Sequence, residues 1–138
     1  MLLRSTRKRR GATIVECAMV YPVTLLLLIG LIVGGLGVFR YQQVASLARE
    51  AARYASVRGT RYAQSTGKAA ATQQTIFEEV VKTRAVGLDP NRLTCTVTWN
   101  PSNRPGSDVT VLVSYDWIPE AYLGAITLSS TSTMRVSY

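Results

Sequence analysis

The chain has 138 residues, a single-domain length, with 47% hydrophobic and 17% charged residues and a formal net charge of +8. Five of its cations, Arg4, Arg7, Lys8, Arg9 and Arg10, lie in the first ten positions, while residues 59–138 carry seven Lys and Arg against six Asp and Glu, so no basic face for nucleic acid is expected. With no His and two distant cysteines, Cys17 and Cys95, the composition speaks against a metal centre, a cofactor, a disulfide or a catalytic constellation for a small-molecule substrate.

Between Cys17 and Phe39 no charged residue occurs in 23 positions. A helix rising about 1.5 Å per residue needs about 20 such residues to cross roughly 30 Å of hydrocarbon, which predicts a transmembrane helix over residues 12–39. The basic cluster before it places the N-terminus in the cytoplasm and the C-terminal hundred residues outside. Gly30, Gly34, Gly35 and Gly37 suit a helix that packs closely against others. A secretory signal peptide is the rival reading, but the run exceeds the roughly 7–15 residues of such a segment and its only A-x-A-like site, Ser46-Leu47-Ala48, comes too late. Glu16 stands at the edge of the run, where a carboxylate is costly unless it is paired or reaches the interface; it either takes a cation or marks the membrane surface.

The helix pattern runs on beyond the membrane. Val38, Tyr41, Ala45, Ala48, Ala52 and Ala55 share one face, and Arg49 and Arg53 mark another, predicting a continuation over residues 40–58 that Gly59 stops. The alanine stripe serves either the protein's own sheet or a neighbouring subunit. Arg40, Arg49, Arg53 and Arg58 read as solvated or lipid-surface charges. Gly59 to Ala71, rich in small and polar residues, reads as a linker or irregular loop.

A short amphipathic helix is predicted from Thr72 to about Ala85, with Ile76, Phe77, Val80 and Val81 on one side and Glu78, Glu79 and Lys82 on the other; Gly87, Asp89 and Pro90 end it. The adjacent Glu78 and Glu79 diverge around the helix and read as a solvated face rather than a dyad. Two strands follow from strict alternation, Leu93, Cys95, Val97 and Trp99 in the first and Val109, Val111, Val113 and Tyr115 in the second, joined by a hairpin loop over residues 100–106. Ile126 to Ser129 gives a third strand, with Thr133 to Tyr138 as an optional fourth. The segment Asp116 to Gly124, with Trp117, Ile118, Tyr122 and Leu123, reads as an apolar loop that either tucks under the sheet or touches lipid or another subunit. About 80 residues outside the long helix make a marginal core, so the sheet should pack on the alanine stripe. The expected class is α+β: a long N-terminal helix on a small antiparallel sheet with one short extra helix.

The string Arg9-Arg10-Gly11-Ala12-Thr13-Ile14-Val15-Glu16 resembles the type IV prepilin signature, a basic leader ending in Gly and then Glu at the fifth mature position of an apolar helix. More narrowly, the chain resembles the TadE-like pseudopilins of the tight-adherence (Tad) pilus system. The likeness rests on this string, on Tyr21-Pro22 with the Leu25 to Leu28 run, on Ala48-Arg49-Glu50-Ala51-Ala52-Arg53-Tyr54-Ala55, and on Val109 to Tyr115 and Ile126 to Val136. Cys17 departs from the aromatic residue that usually follows the Glu. The resemblance implies a pilin-like fold, a prepilin peptidase that removes residues 1–11 at the Gly11-Ala12 bond, and pairing of Glu16 with the Ala12 ammonium of a neighbour. It also implies a non-enzymatic role in the bacterial inner membrane, with lipid, other pilins and the Tad assembly machinery as partners. The alternative is a bitopic envelope protein whose outer domain, residues 59–138, binds a ligand or partner without entering a filament.

Overall fold

The computed structural model describes residues 8–119 and 124–137, with residues 8–10 and 12 as backbone. Arg4, Arg7, Tyr122, Leu123 and Tyr138 lie outside the described residues. The chain forms two units, divided between Leu36 and Gly37.

The first unit is helical. Helix α1 runs Lys8–Val57, and its apolar window is the one span among the described residues long and apolar enough to cross a membrane, with none of that window buried. Ile14, Met19, Leu26 and Leu31 are all exposed. An α-helix satisfies its own backbone polar groups, the condition that hydrocarbon imposes on any spanning segment. Pro22 lies within α1 and withholds one backbone donor; nearby, the Thr24 hydroxyl donates to the Val20 carbonyl at 2.9 Å.

The second unit is built on the rest of α1. Val44, Leu47, Ala48, Ala51, Ala52, Ala55 and Ser56 are buried there, an i, i+3, i+4 face of mostly small side chains. The stripe therefore serves the protein's own fold, but its phase differs from the expected one. Val38 and Tyr41 are exposed, at 62% and 48%, because the buried face is centred on Val44, Leu47 and Ala51 rather than on the line from Val38 to Ala45. Helix α1 ends at Val57, and its last carbonyls find partners elsewhere: the Ser137 amide donates to Ser56 O at 2.9 Å and the Arg58 amide to Ala55 O at 3.3 Å.

The expected loop after Gly59 contains a further helix, α2, at Thr60–Thr66. Gly59 is its N-cap, not a left-handed stop for α1; that conformation falls instead to Gly67, with φ 68°. No residue between Thr60 and Thr66 breaks a helix, and small polar composition by itself does not exclude one. Helix α3 starts at Gln73–Ile76 behind a reciprocal cap, the Thr75 amide donating to Thr72 Oγ1 at 3.3 Å and the Thr72 amide to Thr75 Oγ1 at 2.8 Å. It widens into a π-helical turn at Phe77–Lys82. Ile76, Val80 and Val81 are buried as expected, while Phe77 is only half-buried. Asp89 then caps a 3-10 turn at Pro90–Arg92, accepting from the Asn91 amide at 3.0 Å.

Three antiparallel strands, β1 (Leu93–Asn100), β2 (Asp108–Trp117) and β3 (Ile126–Arg135), pair in the order β1-β2-β3. The register runs from Leu93↔Tyr115 to Asn100↔Asp108 and from Asp108↔Arg135 to Trp117↔Ile126. The β1-β2 loop carries a cis Asn100-Pro101 bond and Gly106 at φ 90°. Alternation delivers the predicted inner faces, with Cys95, Val97, Val109, Val111, Val113 and Tyr115 buried. Two expectations are corrected. Residues 126–135 form one strand rather than two, since every Ser and Thr in the run is compatible with a strand and cross-strand bonds such as Thr110 Oγ1 to Thr133 Oγ1 at 2.9 Å bind it to β2. Trp117 belongs to β2, not to a loop, and is buried.

Candidate functional site

The residues singled out by the sequence lie at the start of α1. The helix begins at Lys8, so Gly11 and Ala12 fall inside it together with the backbone of Lys8, Arg9 and Arg10. Gly11 is exposed, and a Cβ added there would meet no heavy atom within 4 Å. A helical Gly is less favourable than Ala by about 1 kcal/mol, and nothing in the described packing requires it. Glu16 is also exposed. It follows Ala12 by four residues, an axial rise of about 6 Å. Among the described residues its carboxylate has no hydrogen bond or ion pair, and its partly exposed neighbour Cys17 is a free thiol. A carboxylate with no partner among the described residues, set in an apolar stretch of helix, can accept a cation from outside its own fold.

Charged side chains elsewhere tie α1 to α3. The Tyr54 hydroxyl donates to Glu79, the Arg58 guanidinium donates to the Tyr54 oxygen, and Arg58 also pairs with Glu79 at 3.4 Å. Arg58 lies over the Tyr54 ring at 4.0 Å from its centroid. Burial, followed by the bond to Glu79, raises the Tyr54 hydroxyl above its ordinary value of 10.0. Arg84 pairs with Glu50. Glu78 points elsewhere, accepting from Gln74 Nε2 at 3.3 Å, so the adjacent glutamates diverge as their helical spacing predicts. Of the four arginines expected to be solvated, Arg49 and Arg53 are exposed, whereas Arg58 joins this cluster and Arg40 donates to the Gly87 carbonyl at 2.8 Å.

An open groove of about 540 Å³ runs between α3 and β1, lined by Gln73, Gln74, Phe77 and Leu93 to Thr96. Its one thiol, Cys95, is pushed up to about 11 by burial, which keeps it protonated and a poor nucleophile near neutrality. Among the described residues no group of three or more His, Cys, Asp or Glu could hold a metal.

A helix fit to cross a membrane, followed by a small α+β unit with a three-stranded antiparallel sheet, defines a pilin-like layout consistent with a membrane-anchored protein. Residues 11–53 match the TadE family model, described as TadE-like protein, and over that stretch the chain is TadE-like. The matched stretch takes in Gly11, Ala12, Glu16 and most of α1, and the family implies a role associated with the Tad pilus. No curated protein and no solved structure matches the chain.

Proposed function

We propose that this protein is a membrane-inserted pseudopilin, or minor pilin, that takes part in the assembly or initiation of a Tad-type pilus for adhesion, as a structural subunit and not an enzyme. The observation that carries the reading is the placing of Gly11 and Glu16, five residues apart, at the start of a TadE-like helix whose apolar surface its own fold leaves uncovered. Residues 1–11 are the cytoplasmic leader, 12–39 the membrane span, 40–58 the outer continuation of the helix and 59–138 the outer domain, with Arg4, Arg7, Lys8, Arg9 and Arg10 holding the leader inside. A prepilin peptidase cuts Gly11-Ala12. Because that bond lies within α1, its first turns must open for cleavage, and Gly11 is the residue that makes opening least costly. Cleavage removes five cations and leaves an ammonium on Ala12 that pairs with Glu16 of a neighbouring subunit.

The test is the N-terminus of protein extracted from the membrane of its native host, read by intact mass and N-terminal sequencing. A chain beginning at Ala12, and a Gly11→Leu variant that inserts but keeps its leader, are expected. Wild-type protein that still begins at Met1 would favour a bitopic envelope protein outside any filament.

A further inference from the structure

The second unit begins on residues that still belong to the apolar run. Val38 and Phe39 are exposed, and Arg40 is the first charged residue after Glu16. The Arg40 guanidinium donates to the Gly87 carbonyl at 2.8 Å, and Gln43 Nε2, nearly one turn later, donates to the Val86 carbonyl at 3.1 Å. These two bonds hold the turn after α3 at the level of the first charge beyond the run. On the same stretch of α1, the Trp117 ring lies against Gly37, and Ile126 opens β3 directly across from Trp117. The turn at Val86 and Gly87 and the end of β2 thus meet residues 37–43, and β3 starts beside the end of β2. Each presents an aliphatic side chain to the outside: Val86 is 77% exposed, Ile118 44% and Ile126 45%.

We infer that Val86, Ile118 and Ile126 form an apolar collar that rests in the interfacial layer of the bilayer crossed by α1. This rests on the membrane insertion proposed above. Lipid is the occupant because Val38 and Phe39, exposed on the stretch of α1 that these segments meet, are the last residues of the uncharged apolar run. Gln43 lies about 6 Å along the helix from Phe39, and the headgroup layer is about 5–7 Å deep on each side. Segments bonded to Arg40 and Gln43 therefore sit in that layer. The other residues at this level suit it too: Arg40 carries its charge at the boundary, and Tyr41, which is exposed, is of an aromatic type enriched there. An apolar cluster that would be a liability in water is at this depth an anchor that fixes the height of the folded unit above the membrane.

Depth-dependent fluorescence quenching of the full chain in phosphatidylethanolamine and phosphatidylglycerol nanodiscs tests the inference. In a Cys17→Ala, Cys95→Ala background, single cysteines at Val86, Ile118, Leu28 and Lys68 carry an environment-sensitive dye. Nitroxide lipids labelled at the headgroup or deep in the acyl chain act as quenchers. The dyes at positions 86 and 118 should be quenched several times more by the headgroup nitroxide than the dye at position 68, which sits on the exposed segment beyond α2. With the dye at Ile126→Cys, the paired changes Val86→Asp and Ile118→Asp should lower its quenching while circular dichroism stays unchanged. Quenching at positions 86 and 118 no greater than at 68, with position 28 quenched by the deep nitroxide, overturns the collar and leaves the span intact. If the dye at position 86 is not quenched and the unlabelled Val86→Cys protein forms an 86-to-86 disulfide under an added mild oxidant, the patch is covered by a second copy and the lipid assignment is overturned. If position 28 is not quenched by the deep nitroxide, the membrane insertion itself fails and the collar with it.

Discussion

Trp117 stands over Gly37 so closely that a Cβ on the glycine would lie 2.9 Å from Cζ3 and 3.2 Å from Cη2 of the ring. Gly37 is thus unlike Gly30, Gly34 and Gly35, where an added Cβ would meet nothing within 4 Å. Gly37→Ala gains about 1 kcal/mol of helix propensity but forces a rigid, buried indole to shift, an overpacking cost of about 1–3 kcal/mol. A net destabilisation of up to about 2 kcal/mol is expected for the second unit, read by near-ultraviolet circular dichroism during denaturant unfolding in micelles. Gly34→Ala should leave that transition unmoved. Combining Gly37→Ala with Trp117→Leu should be less than additive, since the second change removes the clash that the first creates; full additivity would mean that the two residues do not meet.

A second expectation concerns the free edge of β1. The Val97 amide donates to Gln73 Oε1 at 3.3 Å, so a side chain of α3 occupies a backbone donor that an edge strand would otherwise offer to another chain. Gln73→Ala should cost about 0.5–1.5 kcal/mol, speed hydrogen exchange at Val97 and raise aggregation on heating. Gln73→Glu keeps the acceptor and should preserve protection at that amide. Equal exchange rates in all three proteins would remove the capping role.

The alkaline limb of stability should report Cys95. Its folded thiol is raised from 9.0 to about 11 by burial, so the folded state holds the proton more tightly than the unfolded chain does. The corresponding stability is complete below about pH 9 and is lost as pH rises toward 11. Tyr54, raised above 10.0 chiefly by burial, adds a loss of the same sign that begins higher. Cys95→Ala should flatten the profile first, and Tyr54→Phe should flatten what remains above pH 10. A thiolate absorbance that titrates near 9 in the folded Cys17→Ser protein would contradict the burial of Cys95.

Periodicity carries the parts of this fold that depend on local pattern. Leu93, Cys95 and Val97 alternate inward as their spacing predicts, and the uncharged run up to Phe39 forms one helix. Phase and long-range contact are less legible. Tyr41 and Ala45 fit a helical face as well as Val44 and Leu47 do, because an alanine-rich helix shows little contrast between its sides; only the position of the sheet decides which face is covered. Thr60 to Thr66 reads as loop by composition because Ser, Thr and Gln are indifferent helix formers. Nothing local links Gly37 to Trp117 or Arg40 to Gly87, which lie 80 and 47 positions apart. The Gly11 and Glu16 spacing, by contrast, is a purely local signal, legible in the amino-acid sequence by itself, and both residues fall within the stretch that matches the family model.

The last expectation assigns Glu16 to assembly and not to folding. Its side chain is exposed, and among the described residues it has no ionic partner, so removing the carboxylate breaks no ion pair among them. A unit charge pair about 4 Å apart gains roughly 4 kcal/mol at an effective dielectric near 20, comparable with the few kcal/mol that a carboxylate loses on moving into hydrocarbon. An isolated Glu16 is therefore a burden to the span, and one paired with the Ala12 ammonium of a neighbour is close to neutral. The pair then selects helices at one axial offset, since a shift of one turn, about 5.4 Å, separates the charges. Glu16→Leu should insert at least as well as wild type, show the same second-unit spectrum and unfolding transition, and still lose its leader, yet fail to cross-link to partner pilins and leave cells without surface pili. Glu16→Gln, which keeps the shape but not the charge, should fail in the same way. If both variants cross-link and piliate as wild type does, Glu16 marks only the membrane boundary and the charge pair has no part in assembly.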